Sequence, residues 1–291
     1  MRRTVLLPFL ALCLLVSCDD ANKAYVRKAV RIMDKHGLYA EGLVWATCRD
    51  SVLALQPKNP EDAQDIVRSA LKVAGGKHSF LQTAEKPSES LASDRTLPSL
   101  TRTADEVLII ALPHFSGSHE QGKEYADAVL DSLSGNIQGV VLDLRGNTGG
   151  NMYPMIAAVH RFLPDDAIIR FRHRRGTTPV STSYVNRIVG VNPQEHIACP
   201  VAVLTDSLTG SSGEAVLICF RGLDNVCVFG SSTAGYASCN ATYALPGGSL
   251  LILTIGCDVA RTGEVFCDEP IRPDVETTCP LEEALNWIRR P

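Results

Sequence analysis

Three serines and two glycines precede a predicted helix in residues 207–217, SLTGSSGEAVL. An apolar strand at 201–204 leads into this loop, and the helix is predicted from Ser212 onward. A side chain at such a corner lies beside the helix N-terminus, whose free N–H groups and positive dipole end stabilise a developing anion. Ser211 can therefore act as a nucleophile while the amide of Ser212 holds the oxyanion. Helix capping by Ser211 or Ser212 would explain only one of these serines.

A second glycine-rich turn, DLRGNTGG at 143–150, follows another apolar strand at 139–144. Glycine lets backbone N–H groups approach a ligand without obstruction by a Cβ atom. The turn lacks the G-K-S/T and G-x-G-x-x-G patterns of phosphate-binding and dinucleotide-binding loops. We therefore predict that an amide of Gly149 or Gly150 supplies a second oxyanion donor.

Strands and helices alternate along the predicted core, residues 106–291. Several strands are continuous apolar runs, which is typical of a sheet that is buried on both faces. This alternation predicts an α/β fold. The predicted helices cover 120–133, 153–163, 212–220 and 280–290, and the predicted strands cover 107–112, 139–144, 168–173, 201–204, 226–229 and 250–259.

Residues 18–85 are predicted to form an N-terminal helical subdomain. Its three helices cover 21–36, 43–55 and 60–75, and the third has Asn59 as its cap, Pro60 in its first turn and two glycines at its end. Residues 86–105 are polar, contain proline and serine and show no sustained period, so we predict that they form a linker.

Residues 1–17 have the layout of an export signal, with two arginines, an apolar run and small residues before Cys18. The apolar run is too short to span a bilayer comfortably. The sequence LVSC at 15–18 resembles the lipobox of bacterial lipoprotein signals, which implies cleavage before Cys18 and acylation of its thiol. An ordinary signal peptide or an uncleaved anchor is the alternative. The predicted location is the cell envelope, periplasmic or extracytoplasmic, with attachment to a membrane through the lipid.

The composition and the cysteine spacing argue against nucleic acid, a metal ion or a cofactor as partners. With a net charge of −4, the chain has no basic excess to attract nucleic acid. The cysteines after Cys18 include no C-x-x-C pair, so neither a metal site nor a cofactor is predicted.

Cysteine usage fits an oxidising compartment. Cys257 and Cys267 are predicted to face each other across a hairpin and to form a disulfide, and buried free thiols are the alternative.

The turn at 143–150 is followed in order by SSGE at 211–214, GSSTAGY at 230–236 and IRPD at 271–274. This ordered set, over roughly residues 106–276, resembles the C-terminal processing, or tail-specific, serine peptidase family. The resemblance implies a crotonase-like ββα spiral core. It also makes Ser211 the nucleophile, because the family's nucleophile stands three residues before the glutamate of this motif.

Tyr236 departs from the family pattern, since members with a serine–lysine dyad have their lysine at this position. Tyrosine, with an ordinary pKa of about 10, is a poor base near neutral pH. The branches that resemble tricorn protease and the nisin-resistance protein use a histidine upstream of the core, where His78 lies in this chain. The resemblance therefore implies that His78 is the general base. The residues alone would favour a simpler role, in which His78 complements a helix C-terminus.

An acid should orient the imidazole. In the histidine-using branch a glutamate shortly before the Ile-x-Pro-Asp motif has a related role, so Asp268 and Glu269 are the candidates, with Glu269 preferred. Ser79 resembles a neighbouring serine that some of these enzymes use. The PDZ module of processing proteases is missing, because only residues 81–105 separate the histidine region from the core. Capture of substrate C-termini by that module is therefore not expected.

The predicted function is an exported serine endopeptidase that hydrolyses peptides or unfolded protein segments through an acyl-enzyme on Ser211, with His78 moving the proton. A catalytically inactive relative that binds peptides at the cell envelope is the alternative, because of Tyr236 and the unassigned acid. An acyl-CoA enzyme is suggested by the implied fold alone, and export from the cytoplasm argues against it.

Overall fold

The computed structural model describes residues 18–84 and 96–290 of the 291-residue chain. The predicted export signal, residues 1–17, lies outside the described residues, and so do residues 85–95 of the predicted linker. The backbone of Cys18 begins the first helix, while its side chain, the predicted lipidation site, is outside the description. None of the helices described here combines the length and the apolarity needed to cross a bilayer.

Helices and strands alternate along the described residues. The helices are α1 (Cys18–His36), α2 (Gly42–Ala54), α3 (Pro60–Gly75), α4 (His119–Leu130), α5 (Met152–Val159), α6 (Thr182–Val189), α7 (Ser212–Phe220) and α8 (Pro280–Ile288). The strands are β1 (Phe80–Gln82), β2 (Ser99–Arg102), β3 (Val107–Ala111), β4 (Gly139–Asp143), β5 (Ala167–His173), β6 (Gly176–Ser181), β7 (Val201–Thr205), β8 (Val226–Gly230), β9 (Ser238–Ala244), β10 (Leu250–Val259), β11 (Val265–Phe266) and β12 (Val275–Glu276). The predicted α/β class is confirmed.

One sheet has the strand order β12-β8-β7-β4-β3-β2, and its neighbours are parallel except for the antiparallel pair β2 and β3. Its central strands are almost completely buried because α4, α5 and α7 form one large core with one face of β3, β4 and β7, while α8 packs against the other face. In the register of β4 and β7, Asp143 lies opposite Leu204. The two glycine-rich turns therefore leave the sheet at the same edge.

The second sheet is built around β10, which pairs antiparallel with β1, β5, β9 and β11. Helices α1, α2 and α3 share a hydrophobic cluster with Leu251 and Leu253 of β10. The short strand β1 immediately follows α3 and pairs with the first half of β10. The segment between α3 and β1 is thereby fixed against the core, and this segment contains His78.

Cys257 and Cys267 form a disulfide between β10 and the residue after β11, with a Cα–Cα distance of 4.9 Å. The hairpin between them turns through Gly263, which has a φ of 86°. A positive φ of this size suits glycine because it has no Cβ atom. Since Asp268 follows Cys267 directly, the crosslink also restrains the chain that carries this acid.

The predicted linker is wrong in one part, because residues 99–102 form β2 and pair with β3. This strand lies at the edge of the sheet and is mostly exposed, so it lacks the apolar pattern that revealed the central strands. Strands β6 and β9 and helix α6 were also not predicted. Strand β6 is exposed over most of its length, and β9 is short of large apolar side chains, so these two strands gave little signal in the sequence, whereas β5 and β10 of the same sheet were predicted.

Candidate active site

Ser211 stands at the turn from β7 into α7, with backbone angles φ 53° and ψ −116°. Few residues other than glycine adopt a positive φ, and strained residues of this kind concentrate at functional sites. The geometry turns the Ser211 side chain out of the chain path at the N-terminus of α7, as at a nucleophile elbow. The hydroxyl therefore lies where the sequence predicted it.

The buried carboxylate of Glu214 holds this turn in place. It accepts hydrogen bonds from the backbone N–H of Ser211 at 2.9 Å, of Gly235 at 2.9 Å and of Tyr236 at 2.7 Å, and a further one from the hydroxyl of Thr233. Burial raises the pKa of Glu214, whereas these hydrogen bonds oppose the rise. Glu214 therefore joins the serine turn to the 230–236 segment.

His78 lies between the end of α3 and β1, with its ring against the serine. Its Nε2 is 3.1 Å from the Oγ of Ser211. The two residues are 133 positions apart in the sequence, and the pairing of β1 with β10 brings them together. The distance is within hydrogen-bonding reach, which is the first requirement for a general base.

The other ring nitrogen of His78 contacts Ser238, at the start of β9. Nδ1 lies 2.9 Å from the Ser238 Oγ, and this hydroxyl donates to Oδ1 of Asp268 at 2.7 Å. A serine hydroxyl has one hydrogen, so an Oγ that donates to Asp268 must accept from Nδ1–H of His78. The imidazole is then in the tautomer with a free lone pair on Nε2, which can take the proton of Ser211.

The geometry corrects two sequence-based expectations. Asp268 contacts the histidine through Ser238, whereas the preferred candidate, Glu269, is exposed and makes no hydrogen bond to these groups among the described residues. Ser79 donates to the carbonyl of Gly75 at 2.9 Å and accepts from the backbone N–H of Thr254 at 2.8 Å, so it joins α3 to β10. Besides Ser211, the serine that contacts the His78 ring is Ser238, for which the sequence offered no signal.

The environment favours a neutral His78 before reaction. Burial lowers the pKa of His78 from its ordinary 6.5, the negative charge of Asp268 opposes this, and the ammonium of Lys77 lowers it further. A neutral imidazole is the form that acts as a base. A protonated imidazole at this position would face the charge of Asp268 across one hydroxyl.

Two amides beside Ser211 are available to an oxyanion. Among residues 18–84 and 96–290, the backbone N–H groups of Gly150 and Ser212 donate no hydrogen bond, and both residues line the cavity in front of Ser211. The Ser212 hydroxyl donates to the carbonyl of Gly150 at 2.6 Å, which ties the two turns together. The N–H of Gly149 already donates to Oδ1 of Asn147 at 2.9 Å. The free donors are therefore those of Gly150 and Ser212, and Gly149 has a packing role.

Packing explains the glycine at position 149. A Cβ atom there would lie 2.7 Å from the Cβ of Ser211 and 2.9 Å from the amide nitrogen of Ser212. Any side chain would therefore push the two turns apart. Asn147 completes this contact, since its carbonyl also accepts from the N–H of Gly210 at 2.9 Å.

Tyr236, at the position where the resemblance would place a lysine, packs against the histidine. The rings of Tyr236 and His78 meet edge-on with centroids 5.3 Å apart, and the ammonium of Lys77 lies 4.8 Å above the Tyr236 ring. The tyrosine thus covers the imidazole and limits its orientation.

Among the described residues no group of three or more metal-ligating side chains occurs.

A hydroxyl, an imidazole and a carboxylate that contacts the imidazole through a second serine, with two free amides beside the first hydroxyl, define the serine hydrolase class. The chain belongs to Peptidase family S41, whose model matches residues 106–277. It is a serine-type peptidase, and the resemblance drawn from the four motifs is confirmed.

Three relatives illustrate the extent of the similarity. The nisin-resistance protein of Lactococcus lactis subsp. lactis is 34% identical over 275 residues, which cover 91% of this chain and 86% of that protein. A solved structure of a lipoprotein from Streptococcus agalactiae has a TM-score of 0.85, with 28% identity and 99% coverage of both chains. The carboxy-terminal processing protease CtpA of Bacillus subtilis strain 168 is 25% identical over 60% of this chain but only 36% of its own length.

Replacing Asp268 by asparagine should both slow the enzyme and shift its pH profile. An asparagine amide can donate to Ser238, which frees the Ser238 hydroxyl to donate to Nδ1 and selects the wrong tautomer of His78, so we expect kcat to fall about 10²- to 10⁴-fold. Loss of the negative charge also lowers the pKa of His78, so the acid limb of kcat/KM should move to lower pH. The measurement is kcat/KM between pH 4 and 9, in steps of about half a unit.

Glu269→Gln provides the matched control, since it changes the neighbouring acid in the same way. We expect it to leave both the rate and the acid limb where they are. A fall in kcat with Glu269→Gln and none with Asp268→Asn would return the positioning role to Glu269.

Proposed function

We propose that this peptidase is an exported endopeptidase that hydrolyses peptide bonds through an acyl-enzyme on Ser211, with His78 as the general base. The contact of 3.1 Å between His78 Nε2 and Ser211 Oγ is the observation that carries this proposal. It supplies the proton acceptor that the Tyr236 position lacks. The alternative is an inactive peptide-binding relative. It is not favoured, because it was suggested by the lack of a base at position 236, and in this proposal His78 is the base.

The reaction follows from the positions of the groups. Oγ of Ser211 attacks the substrate carbonyl as Nε2 of His78 takes the hydroxyl proton, and the amides of Gly150 and Ser212 receive the oxyanion. The imidazolium is stabilised by Asp268 through Ser238. It then returns the proton to the leaving amine, and the acyl group stays on Ser211. A water molecule, deprotonated by the same imidazole, releases the acid and restores the serine.

The proposed location is the cell envelope, periplasmic or extracytoplasmic, with the chain anchored to a membrane by a lipid on Cys18. The lipobox-like sequence supports it, together with the similarity to a streptococcal lipoprotein and to the nisin-resistance protein. The proposed substrates are peptides or unfolded protein segments outside the cytoplasm. Cleavage of a short or extracellular peptide is included because only residues 81–105 separate the histidine region from the core, and because the lactococcal relative is named for resistance to nisin.

The test is to find the nucleophile in the wild-type protein. The purified protein should cleave an internally quenched peptide library and should react with a fluorophosphonate probe, and mass spectrometry should locate one adduct on Ser211. Pre-treatment with the probe should stop cleavage in proportion to the labelled fraction. Cleavage that continues in fully labelled protein would show that another residue performs the reaction.

A further inference from the structure

Asp258 is a buried acid that the proposed mechanism does not use. Only 2% of the residue is exposed, and its Oδ1 has no hydrogen-bond partner among the described residues. In the register of β10, Asp258 lies opposite Phe171 on one side and Phe266 on the other. Directly opposite residues share a face of the sheet, so the carboxyl group is flanked by two aromatic rings. An unpartnered carboxyl group in such a setting is costly and needs an explanation.

Asp258 lines the same cavity as the nucleophile. This cavity, of about 890 Å³, is bounded by Ser211, Ser212 and Gly150 at one side and by Phe171 and Asp258 among others. The oxyanion donors and the unpartnered acid thus belong to one space. A substrate whose carbonyl lies at Ser211 can extend a neighbouring side chain into it.

Helix α7 forms the wall between the serine and the acid. Ser211, Ala215 and Cys219 are spaced by four residues, so they lie along one face of the helix. Ala215 lines the cavity and its small side chain leaves room beside Ser211. Burial raises the pKa of the Cys219 thiol, and the ionised form of Asp258 raises it further, so the acid lies near the far end of this face.

The surroundings of Asp258 are negative and hold no cation for it. Burial raises the pKa of Asp258 well above its ordinary value, and the carboxylates of Glu214 and Asp268 raise it further. The guanidinium of Arg261, which contacts the end of α7, donates to Asp166 at 2.9 Å and to the carbonyl of Cys219 at 3.3 Å. Among the described residues no salt bridge involves Asp258.

We propose that Asp258 forms the base of the specificity pocket and that the enzyme cleaves after residues with a positively charged side chain, lysine or arginine. This inference rests on the proposed function of Ser211 and names its substrate class. A cationic side chain would stabilise the ionised form of Asp258, so the carboxyl group, neutral while it is unpaired, would release its proton to solvent and pair with the cation. The aliphatic part of the side chain would pack between the phenylalanine rings. An uncharged side chain would leave the acid unpaired.

The test compares internally quenched peptides that differ only in the residue before the scissile bond: lysine, arginine, norleucine or glutamine. Norleucine has the lysine chain without the charge. Wild-type kcat/KM for lysine and arginine should exceed that for norleucine and glutamine roughly 10²-fold. Asp258→Asn should remove this preference and keep norleucine cleavage within about threefold, since an amide replaces the neutral acid with almost no change of shape. The exposed Asp224 provides the control, and Asp224→Asn should keep the wild-type preference.

Equal cleavage after lysine and norleucine in the wild-type protein, or a lysine preference that survives in Asp258→Asn, would overturn the inference. If Asp258→Asn does not fold, the pocket is tested in the wild-type enzyme with two small competitors. The cation n-butylamine should inhibit competitively, whereas the uncharged n-butanol should not. Equal inhibition by the two compounds would overturn the inference. If no peptide is cleaved and Ser211 is not labelled, the proposed function fails. Binding of the lysine and norleucine peptides to Ser211→Ala, measured by fluorescence anisotropy, then tests the pocket by itself.

Discussion

Replacing Ser211 by alanine is expected to lower kcat/KM for peptide substrates by about 10⁴- to 10⁶-fold, because the reaction loses its nucleophile while binding remains. The variant removes only the Oγ atom. The N–H of residue 211 still donates to Glu214, so the turn keeps its anchor and the free energy of unfolding should change little. The measurements are peptide hydrolysis, fluorophosphonate labelling and a urea denaturation curve.

Ser207→Ala is the matched control, since Ser207 is an exposed serine in the same loop. It should keep both hydrolysis and labelling. Labelling that persists in Ser211→Ala, or a loss of activity shared equally by the two variants, would contradict the assignment of Ser211.

His78→Ala should lower kcat by about 10⁴-fold, since no other described base lies within hydrogen-bonding reach of the Ser211 hydroxyl. The wild-type pKa of His78 is lowered by burial, so the wild-type acid limb should have its midpoint below 6.5. In this range the rate should rise with pH as His78 loses its proton. His78→Ala should remove that limb from the remaining activity, which distinguishes a proton carrier from a residue that only supports the fold.

The control for this variant is His36→Ala. His36 also ends a helix, but its ring stacks on Tyr243 with centroids 5.2 Å apart, away from the serine. We expect wild-type rates and a wild-type acid limb from His36→Ala. An acid limb that is unchanged in His78→Ala would show that a different group titrates in the reaction.

Much of the core could be predicted because its signals are local. The continuous apolar runs of β4 and β7 reveal buried parallel strands, and the serine and glycine residues before α7 mark a functional turn within a few positions. The Cys257–Cys267 pair was predictable for the same reason, since the hairpin between the two cysteines is short. The exposed strands β2 and β6 have no such pattern and were missed.

The partners of His78 could not be predicted, because they lie far apart in the sequence. Ser238 is 160 positions from His78, and Asp268 is a further 30 positions on. Nothing in the spacing distinguishes Asp268 from the adjacent Glu269. The acid that contacts Ser238 is the one whose side chain faces β9. The backbone conformation after Cys267, where Asp268 has a φ of 59°, turns the Asp268 side chain to that position.

The sequence by itself determined the α/β class, the peptidase family and the turn that carries Ser211, because apolar periodicity and short motifs are properties of neighbouring residues. Tertiary structure decided which acid and which serine contact His78, which glycine amide is free and which cavity contains Asp258. These depend on strand register and on contacts between distant segments. A shift of one residue in the register of a strand exchanges a buried side chain for an exposed one.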